Sequence, residues 1–299
     1  DITNNSAASR ARSGMSLKFQ ITSVFDLLSV YDNVLLSLQA DQPPWPLICS
    51  RTRRDLHSGV MNILQQFRLA AHADALAGEL SHGQKQWLEI GMAMAPNPKL
   101  LLLDEPLSAL DAKVRVFLRK QIKDLQRKLG VTTIMVTHDQ EEAQTMADRI
   151  FVMKDGEIIQ VGTPTEIYTR ANSPFIADFI GIMNFIPAII GKNNKAHCNS
   201  VIIDCDTQDF QNNQSVHLAI RPEDIQLNVE KSDNNVLEAT IKEIEFLGSF
   251  QRIYLEASNV TKDLIMADIP SPNARKINLA LNDKLNICFP VEDIRVYPN

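Results

Sequence analysis

The sequence predicts an α/β domain with a mainly parallel sheet, followed by a small all-β domain. Two short apolar runs, Leu100–Leu103 and Val131–Val136, alternate with amphipathic helical patterns in the first part of the chain. Buried strands that alternate with helices are typical of parallel sheets. From about residue 187 the helix-length patterns end, and short β-like runs with Asn-rich breaks replace them. We therefore predict an α/β domain over 1–186 and a β-barrel or sandwich domain over 187–299.

Composition supports two folded domains and excludes some functions. The 299 residues are 44% hydrophobic and 22% charged, which is typical of globular chains. No apolar run approaches the roughly 20 residues that span a bilayer, and no signal peptide is visible, so we expect no membrane-crossing segment. The net charge of −6 argues against a nucleic-acid partner. The four cysteines form no CxxC pair, which indicates thiols in a reducing compartment.

The helices and strands are predicted from periodicity and from their end signals. Apolar residues at helical spacing predict a helix near Leu56–Phe67 and another over 114–129, which Gly130 would cap. Ser81 would open a helix that Pro96 ends. Further on, Lys154-Asp155-Gly156 predicts a hairpin. Short helices near 163–170 and 174–181 follow, and then five strands are expected at 200–203, 216–220, 237–246, 252–255 and 285–289.

Acidic and imidazole side chains follow the two predicted parallel strands. Asp104 and Glu105 come directly after Leu103, and His138 follows the next strand. Ligand sites in α/β sheets lie at the carboxyl ends of strands, so we expect these three residues at one edge. Asp104 would hold Mg²⁺ directly or through water, and Glu105 would orient and deprotonate an attacking water. His138 would contact either a terminal phosphate oxygen or that water. A solvated turn before Pro106 and an ordinary polar histidine are the alternatives.

A helix start supplies a further candidate site. Ser81-His82-Gly83-Gln84 opens a predicted helix, where unpaired backbone N–H groups favour an anion such as a γ-phosphate. Ser81 as a plain N-cap is the alternative.

Together these motifs resemble the ATP-binding cassette (ABC) ATPases, which are P-loop NTPases. Leu80–Gln84 is similar to their signature motif, and Leu100–Pro106 to the Walker B strand with its catalytic glutamate. Ser108–Asp111 resembles the D-loop and His138 the switch histidine. Gln20 resembles the Q-loop glutamine, which senses the membrane partner and contributes to Mg²⁺ binding. By this resemblance, Asp111, Gln20 and Ser81 to Gln84 belong to the ATP site, with a helical subdomain over roughly 22–95.

The second domain carries its own resemblance. Ala219–Glu223 and Glu245–Gly248 are similar to the OB-like regulatory (TOBE) domain of importer ATPases of the maltose, polyamine, sulfate and iron type. The segment from Pro174 to Phe185 is most similar to the 2-aminoethylphosphonate branch. The resemblance covers nearly the whole chain from about residue 17.

Two features depart from that pattern. His82 and Trp87 stand where importers of the maltose type carry Gly and Arg, and Ser81–Met92 resembles the ATPases of urea and branched-chain amino acid importers. The chain therefore resembles two branches, and we predict a seam near Met92–Leu107. In addition, the sequence contains no GxxxxGK(S/T) motif, the Walker A loop that cradles phosphates. We expect an upstream segment in the intact protein and no turnover from these residues alone.

The resemblance implies the ATPase subunit of an ABC importer at the cytoplasmic face of the membrane. Two subunits would sandwich two ATP molecules, and each site would combine Asp104, Glu105 and His138 of one chain with Ser81–Gln84 of the other. Membrane permease subunits would be direct partners, and an extracytoplasmic solute-binding protein an indirect one. One alternative is an inactive partner that lends only its signature helix to a heterodimer. Another, an ABC protein of DNA-repair type, is disfavoured by the acidic charge.

Overall fold

The computed structural model divides the chain into two compact units, Asp1–Asp148 (unit 1) and Arg149–Asn299 (unit 2). It describes residues 6, 9–10, 13–18, 24–40, 52–108, 110–229, 234–277 and 279–299. Within these ranges no helix is both long and apolar enough to cross a membrane. The predicted domain boundary after residue 186 remains a prediction.

Unit 1 is built around a small parallel sheet, as the sequence predicted. Its strands run in the order β1-β2-β3, and both neighbouring pairs are parallel. Helices surround this sheet and connect its strands. The elements are β1 (Met15–Lys18), α1 (Val30–Gln39), α2 (Thr52–Gln66), α3 (His82–Met94), β2 (Leu100–Asp104), α4 (Ala112–Leu129), β3 (Thr132–Val136) and α5 (Gln140–Met146).

Helix ends in unit 1 form where the sequence indicated them. The Ser81 side chain accepts from the backbone N–H of Gln84, and the Gln84 side chain reciprocates, so α3 begins in a capping box. Asp111 caps α4, whose other end is Gly130 in the left-handed conformation with φ 63°. The Ser81 start and the Gly130 end were predicted, because each signal satisfies backbone groups that the helix leaves unpaired, whereas the Asp111 cap was not.

The sheet of unit 1 differs from the prediction in its burial. Both β2 and β3 were expected to be buried on two faces. In β2, Leu101 and Leu103 are buried while the alternate leucines are half-buried. In β3, Ile134 and Val136 are 52% and 57% exposed, so the prediction is wrong for one face of this strand. The reason is position: among the described strands β3 lies at the sheet edge, and the described residues leave that face open.

An ion pair lies inside unit 1. Nζ of Lys18, the last residue of β1, lies 3.2 Å from Oε2 of Glu89 on α3, and the two side chains are only 2% and 5% exposed. The pair therefore joins the sheet to the helix that Ser81 begins. Around it the apolar core takes side chains from α1, α2, α3, β2 and α4.

Unit 2 contains the predicted hairpin, short helices and β-rich region. The hairpin strands β4 (Ile150–Lys154) and β5 (Glu157–Gly162) pair in antiparallel fashion. Two short helices, α6 (Pro164–Thr169) and α7 (Pro174–Phe179), follow. The remaining elements are β6 (Asn184–Ile190), β7 (Lys195–Cys198), β8 (Val201–Asp204), β9 (Ser215–Ile220), β10 (Gln226–Leu227), β11 (Val236–Phe246), β12 (Phe250–Glu256), β13 (Ile265–Pro270), α8 (Ser271–Ile277), β14 (Lys284–Cys288) and β15 (Arg295–Pro298).

Two five-stranded antiparallel sheets enclose one apolar core in unit 2. Their strand orders are β10-β14-β11-β12-β13 and β15-β9-β6-β7-β8. Asn184 links the sheets: its amide donates to the carbonyls of Ile220 and Met266, and its carbonyl accepts from the Met266 N–H at 2.8 Å. Buried thiols at Cys198, Cys205 and Cys288 belong to this unit. The fourth cysteine, Cys49, lies outside the described residues.

Candidate active site

The predicted acidic pair lies at the carboxyl end of the central strand of the sheet. Asp104 is the last residue of β2 and pairs in register with Val136, the last residue of β3. Glu105 follows, and its backbone N–H donates to the Val136 carbonyl at 2.9 Å. Because the two strands are parallel, the side chains that follow them emerge at the same edge.

Glu105 and His138 are in direct contact at this edge. Nδ1 of His138 lies 2.8 Å from Oε1 of Glu105. Glu105 has a backbone φ of 41°, in the left-handed region, which costs a non-glycine residue roughly 1–3 kcal/mol. The hydrogen bond from the imidazole to Glu105, together with the charge of that carboxylate, raises the pKa of His138. The contact thus favours a protonated imidazole beside the proposed base.

Asp111 occupies the start of α4, one loop away from Glu105. Its Oδ1 accepts from the backbone N–H groups of Lys113 and Val114 at 3.1 and 3.0 Å. Between the two acids, the Ser108 hydroxyl donates to the carbonyl of Glu105 at 3.1 Å. Asp111 is therefore an N-cap in this chain, and its predicted part in the ATP site stays a prediction.

The four predicted residues of the signature motif lie together on a separate element, at the start of α3. Ser81 and His82 are exposed there. The Gln84 amide donates to Nε2 of His72 at 3.0 Å, while its Oε1 accepts from the Ser81 N–H. A Cβ at Gly83 would lie 3.4 Å from Val114 on α4, which places this helix start beside the helix that Asp111 caps.

Two predicted features need separate mention. Gln20 lies outside the described residues, so its assignments to the ATP and Mg²⁺ sites remain predictions. In the described part of the chain, no group of three or more His, Cys, Asp or Glu side chains could hold a metal ion. Asp104 is the described candidate for Mg²⁺.

The structure also brings together polar residues that sequence reasoning missed. Asp139, directly after His138, caps α5 by accepting from the Glu142 N–H at 3.0 Å. The Thr137 hydroxyl donates to Glu142 at 2.7 Å, and Arg115 reaches Asp139 from α4 at 2.8 Å. Burial alone raises the pKa of Asp139, but the hydrogen bonds from Glu142 and Arg115 outweigh it and lower the pKa. The N-cap preference of Asp could have flagged residue 139; no sequence signal marks Arg115.

Comparison with known proteins decides the family. The family model described as ABC transporter matches residues 1–108, and the model of the TOBE domain matches residues 218–296. The chain is 39% identical over 298 residues to the Fe(3+) ions import ATP-binding protein FbpC 2 of Rhizobium meliloti, an alignment that covers 96% of this chain and 73% of that protein. The chain belongs to the ABC transporter family. It combines an ABC-type ATPase fold with a C-terminal TOBE domain.

Further relatives of this ABC protein agree. It is 35% identical to the sulfate/thiosulfate import ATP-binding protein CysA 2 of Chromobacterium violaceum, over 100% of this chain and 78% of that protein. It is 36% identical to the spermidine/putrescine import ATP-binding protein PotA of Mesoplasma florum, over 93% of this chain and 75% of that protein. The solved ATP-binding cassette MJ1267 of an ABC transporter superposes with a TM-score of 0.50 at 24% identity, covering 60% of this chain and 73% of that one. This last likeness supports the fold alone.

Proposed function

We propose that this protein is the ATP-hydrolysing subunit of an ABC importer. Hydrolysis in a subunit dimer would be coupled to uptake of a small solute through separate membrane subunits. The observation that carries the proposal is the 2.8 Å contact between Glu105 and His138 at the carboxyl ends of two parallel strands. The import ATP-binding relatives, each aligned over most of this chain, support the same reading.

Each residue at the strand ends has a distinct chemical part. The Glu105 carboxylate accepts the proton of the water that attacks the γ-phosphate of ATP. His138 orients that carboxylate, and as the protonated imidazole it can donate to a terminal phosphate oxygen. The left-handed backbone of Glu105 turns the chain directly after β2, and the carboxylate there contacts His138.

Asp104 fits Mg²⁺ in its donor chemistry. Mg²⁺ retains several waters and commonly binds through one or two carboxylates together with substrate phosphates, so a single strand-end carboxylate is sufficient. When bound, the ion would neutralise charge on the phosphates. By the family pattern, Gln20 would contribute as well.

The second subunit would complete each ATP site. The start of α3 presents exposed Ser81 and His82 with Gly83 and Gln84, and the positive end of this 13-residue helix suits an anion. In the proposed dimer these residues face the phosphates bound by the partner's strand ends, with Asp111 beside them. The 299 residues contain no GxxxxGK(S/T), so we expect turnover only from the full-length protein.

The proposed partners are membrane permease subunits and, indirectly, an extracytoplasmic solute-binding protein. The protein would be peripheral, at the cytoplasmic face of the membrane. Relatives are named for iron, sulfate or thiosulfate, and spermidine or putrescine import. We propose a solute of this small kind: iron, a polyamine, 2-aminoethylphosphonate or a similar molecule.

Substitution of the base tests this proposal. In the full-length protein, Glu105→Gln should lower ATP hydrolysis about 10²- to 10⁴-fold, because the amide cannot take the proton. ATP binding should persist, and ATP should then drive the variant into a stable dimer on size-exclusion chromatography. Glu157→Gln, an exposed change on the β5 strand, is the matched control and should keep the rate within about twofold. Unchanged hydrolysis in Glu105→Gln means that Glu105 is not the base.

A further inference from the structure

Arg115, near the start of α4, donates to two different loops of the candidate site. Its Nη1 lies 2.8 Å from Oδ2 of Asp139, and its Nη2 donates to the carbonyl of Leu110 at 3.1 Å. Asp139 directly follows His138 in the chain, and Leu110 directly precedes Asp111. One guanidinium group therefore joins the loop of the proposed switch histidine to the loop that leaves Glu105.

We propose that Arg115 is a positioning residue for hydrolysis: it holds the turn of His138 against the loop before Asp111, so that His138 stays in contact with Glu105. The inference rests on the proposed function, because it gives Arg115 a part in turnover only if Glu105 and His138 carry the chemistry.

The contacts that support this role form a ring of residues that begins and ends at Arg115. Arg115 forms an ion pair with Asp139, which directly follows His138 in the chain. The imidazole of His138 lies 2.8 Å from the carboxylate of Glu105. The chain then runs from Glu105 to Leu110, whose carbonyl accepts from Arg115 again. Each link is either covalent or a hydrogen bond of ordinary length. Without Arg115 the His138 turn, as we call residues 137–139, is still held by the pairing of β3 with β2 and by the Arg119–Glu141 pair, but its placement beside Glu105 is less precise.

The residues on either side of His138, Thr137 and Asp139, are hydrogen-bonded to each other and to the start of α5. The contact with Arg115 positions the His138 turn as a unit. The Asp139 N–H donates to the Thr137 hydroxyl at 3.0 Å, and Oδ1 of Asp139 accepts from the Glu142 N–H at the same distance. The Thr137 hydroxyl in turn donates to the Glu142 carboxylate. These bonds fix both neighbours of His138 to the start of α5, while the contact with Arg115 fixes that start to α4.

The chemistry of the link requires arginine. A guanidinium offers several N–H donors in a rigid plane and can serve two acceptors in fixed directions, whereas a lysine ammonium on a flexible stem cannot hold both in that geometry. The Arg115 and Asp139 side chains are 29% and 21% exposed, so their pair is less screened than a surface ion pair. Lysine at this position should retain attraction to Asp139 and lose the link to Leu110.

A double-mutant cycle in the full-length protein tests the proposal. Arg115→Ala should lower kcat about tenfold while KM for ATP stays within about twofold, because the loss falls on the transition state. Arg115→Lys should recover less than half of that loss. Asp139→Asn retains the cap acceptor and loses the charge; combined with Arg115→Ala it should add less than about twofold, since both changes break one link.

The matched control is Glu141→Gln, which breaks a different ion pair between the same two helices, Arg119 to Glu141 at 3.1 Å. Its kcat should stay within about twofold of wild type. Fully multiplicative effects of the two changes, wild-type activity of Arg115→Lys, or kcat losses that follow the melting temperature across all variants would each overturn the proposal. In those cases Glu105→Gln would still be inactive. If Glu105→Gln hydrolyses ATP normally, the proposed function itself has failed.

Discussion

The two units of this chain satisfy their most buried charges differently: unit 1 pairs Lys18 with Glu89, whereas in unit 2 the buried guanidinium of Arg221 donates to backbone carbonyls. Unit 1 holds charged side chains at the boundaries between its elements: Lys18 with Glu89, and Arg119, itself only 6% exposed, with Glu141. Unit 2 packs two sheets around a continuous apolar core, in which the amide of Asn184 links the sheets. The β3 face of unit 1 is open, and the hairpin β4–β5 of unit 2 also exposes Phe151, Met153 and Ile158. The two five-stranded sheets of unit 2, in contrast, share one buried apolar core.

This difference bears on where in the chain side chains can be positioned for proton transfer. A buried charge costs free energy unless it is paired, so the loss of one partner of a buried pair is strongly destabilising. In unit 1 the ion pair of Arg115 with Asp139 joins α4 to the residue that follows His138. The inner face of unit 2 offers apolar contacts, which stabilise the sheets but supply no proton transfer.

The largest expected effect lies in the core of unit 2. Phe289 is 1% exposed, and Phe289→Ala should destabilise unit 2 by about 4 kcal/mol through lost burial and the cavity left behind. Calorimetry of the full-length protein should show this as a lower melting temperature of one transition. Phe246→Ala, at a position 65% exposed in the same unit, is the control and should change stability by less than about 0.5 kcal/mol. Equal effects would show that the core of unit 2 is not closed.

Removal of one buried charge should be the next largest effect. Lys18→Met leaves the Glu89 carboxylate without its ammonium partner and should destabilise unit 1 by about 3 kcal/mol. Both tryptophans of the sequence, Trp45 and Trp87, fall within residues 1–148, so fluorescence in urea reports on this unit.

The double variant makes this test of Lys18 sharper. Lys18→Met with Glu89→Leu removes both charges and should lie within about 1 kcal/mol of wild type, because no unpaired ion remains. A single variant as stable as wild type would contradict the contrast between the two units.

The smallest expected effect is a titration. His138 should titrate above its ordinary pKa of about 6.5, because the hydrogen bond and charge of Glu105 favour its protonated form. The stabilisation from this contact is complete below the ordinary pKa and is lost as pH rises through the raised one. NMR of the ring protons should show the midpoint move down in Glu105→Gln and stay in place in Glu141→Gln. A midpoint unmoved by Glu105→Gln would mean that the contact is absent in solution.

Local signals in the sequence predicted most elements near the site. Ser81 and Gly130 mark the ends of α3 and α4, and the hairpin lies where Lys154-Asp155-Gly156 indicated it. Such signals succeed because a cap or a turn depends on a few neighbouring residues. The pairing of Lys18 with Glu89 escaped prediction because 71 positions separate the partners, and their meeting depends on how α3 packs on β1.

By itself the sequence determined the α/β and all-β sections, the motifs Leu80–Gln84 and Leu100–Pro106, and the placement of Glu105 and His138 after strands. The two sections and the strand-end placement follow from periodicity and short-range backbone chemistry, which are local to the chain, whereas the two motifs were identified by their resemblance to ABC ATPases. Only the tertiary structure decided that the imidazole meets Glu105 at 2.8 Å, that Arg115 joins two loops, and that one face of β3 lies open. Each of these depends on which elements become neighbours, and that is settled by the free energy of packing the whole unit.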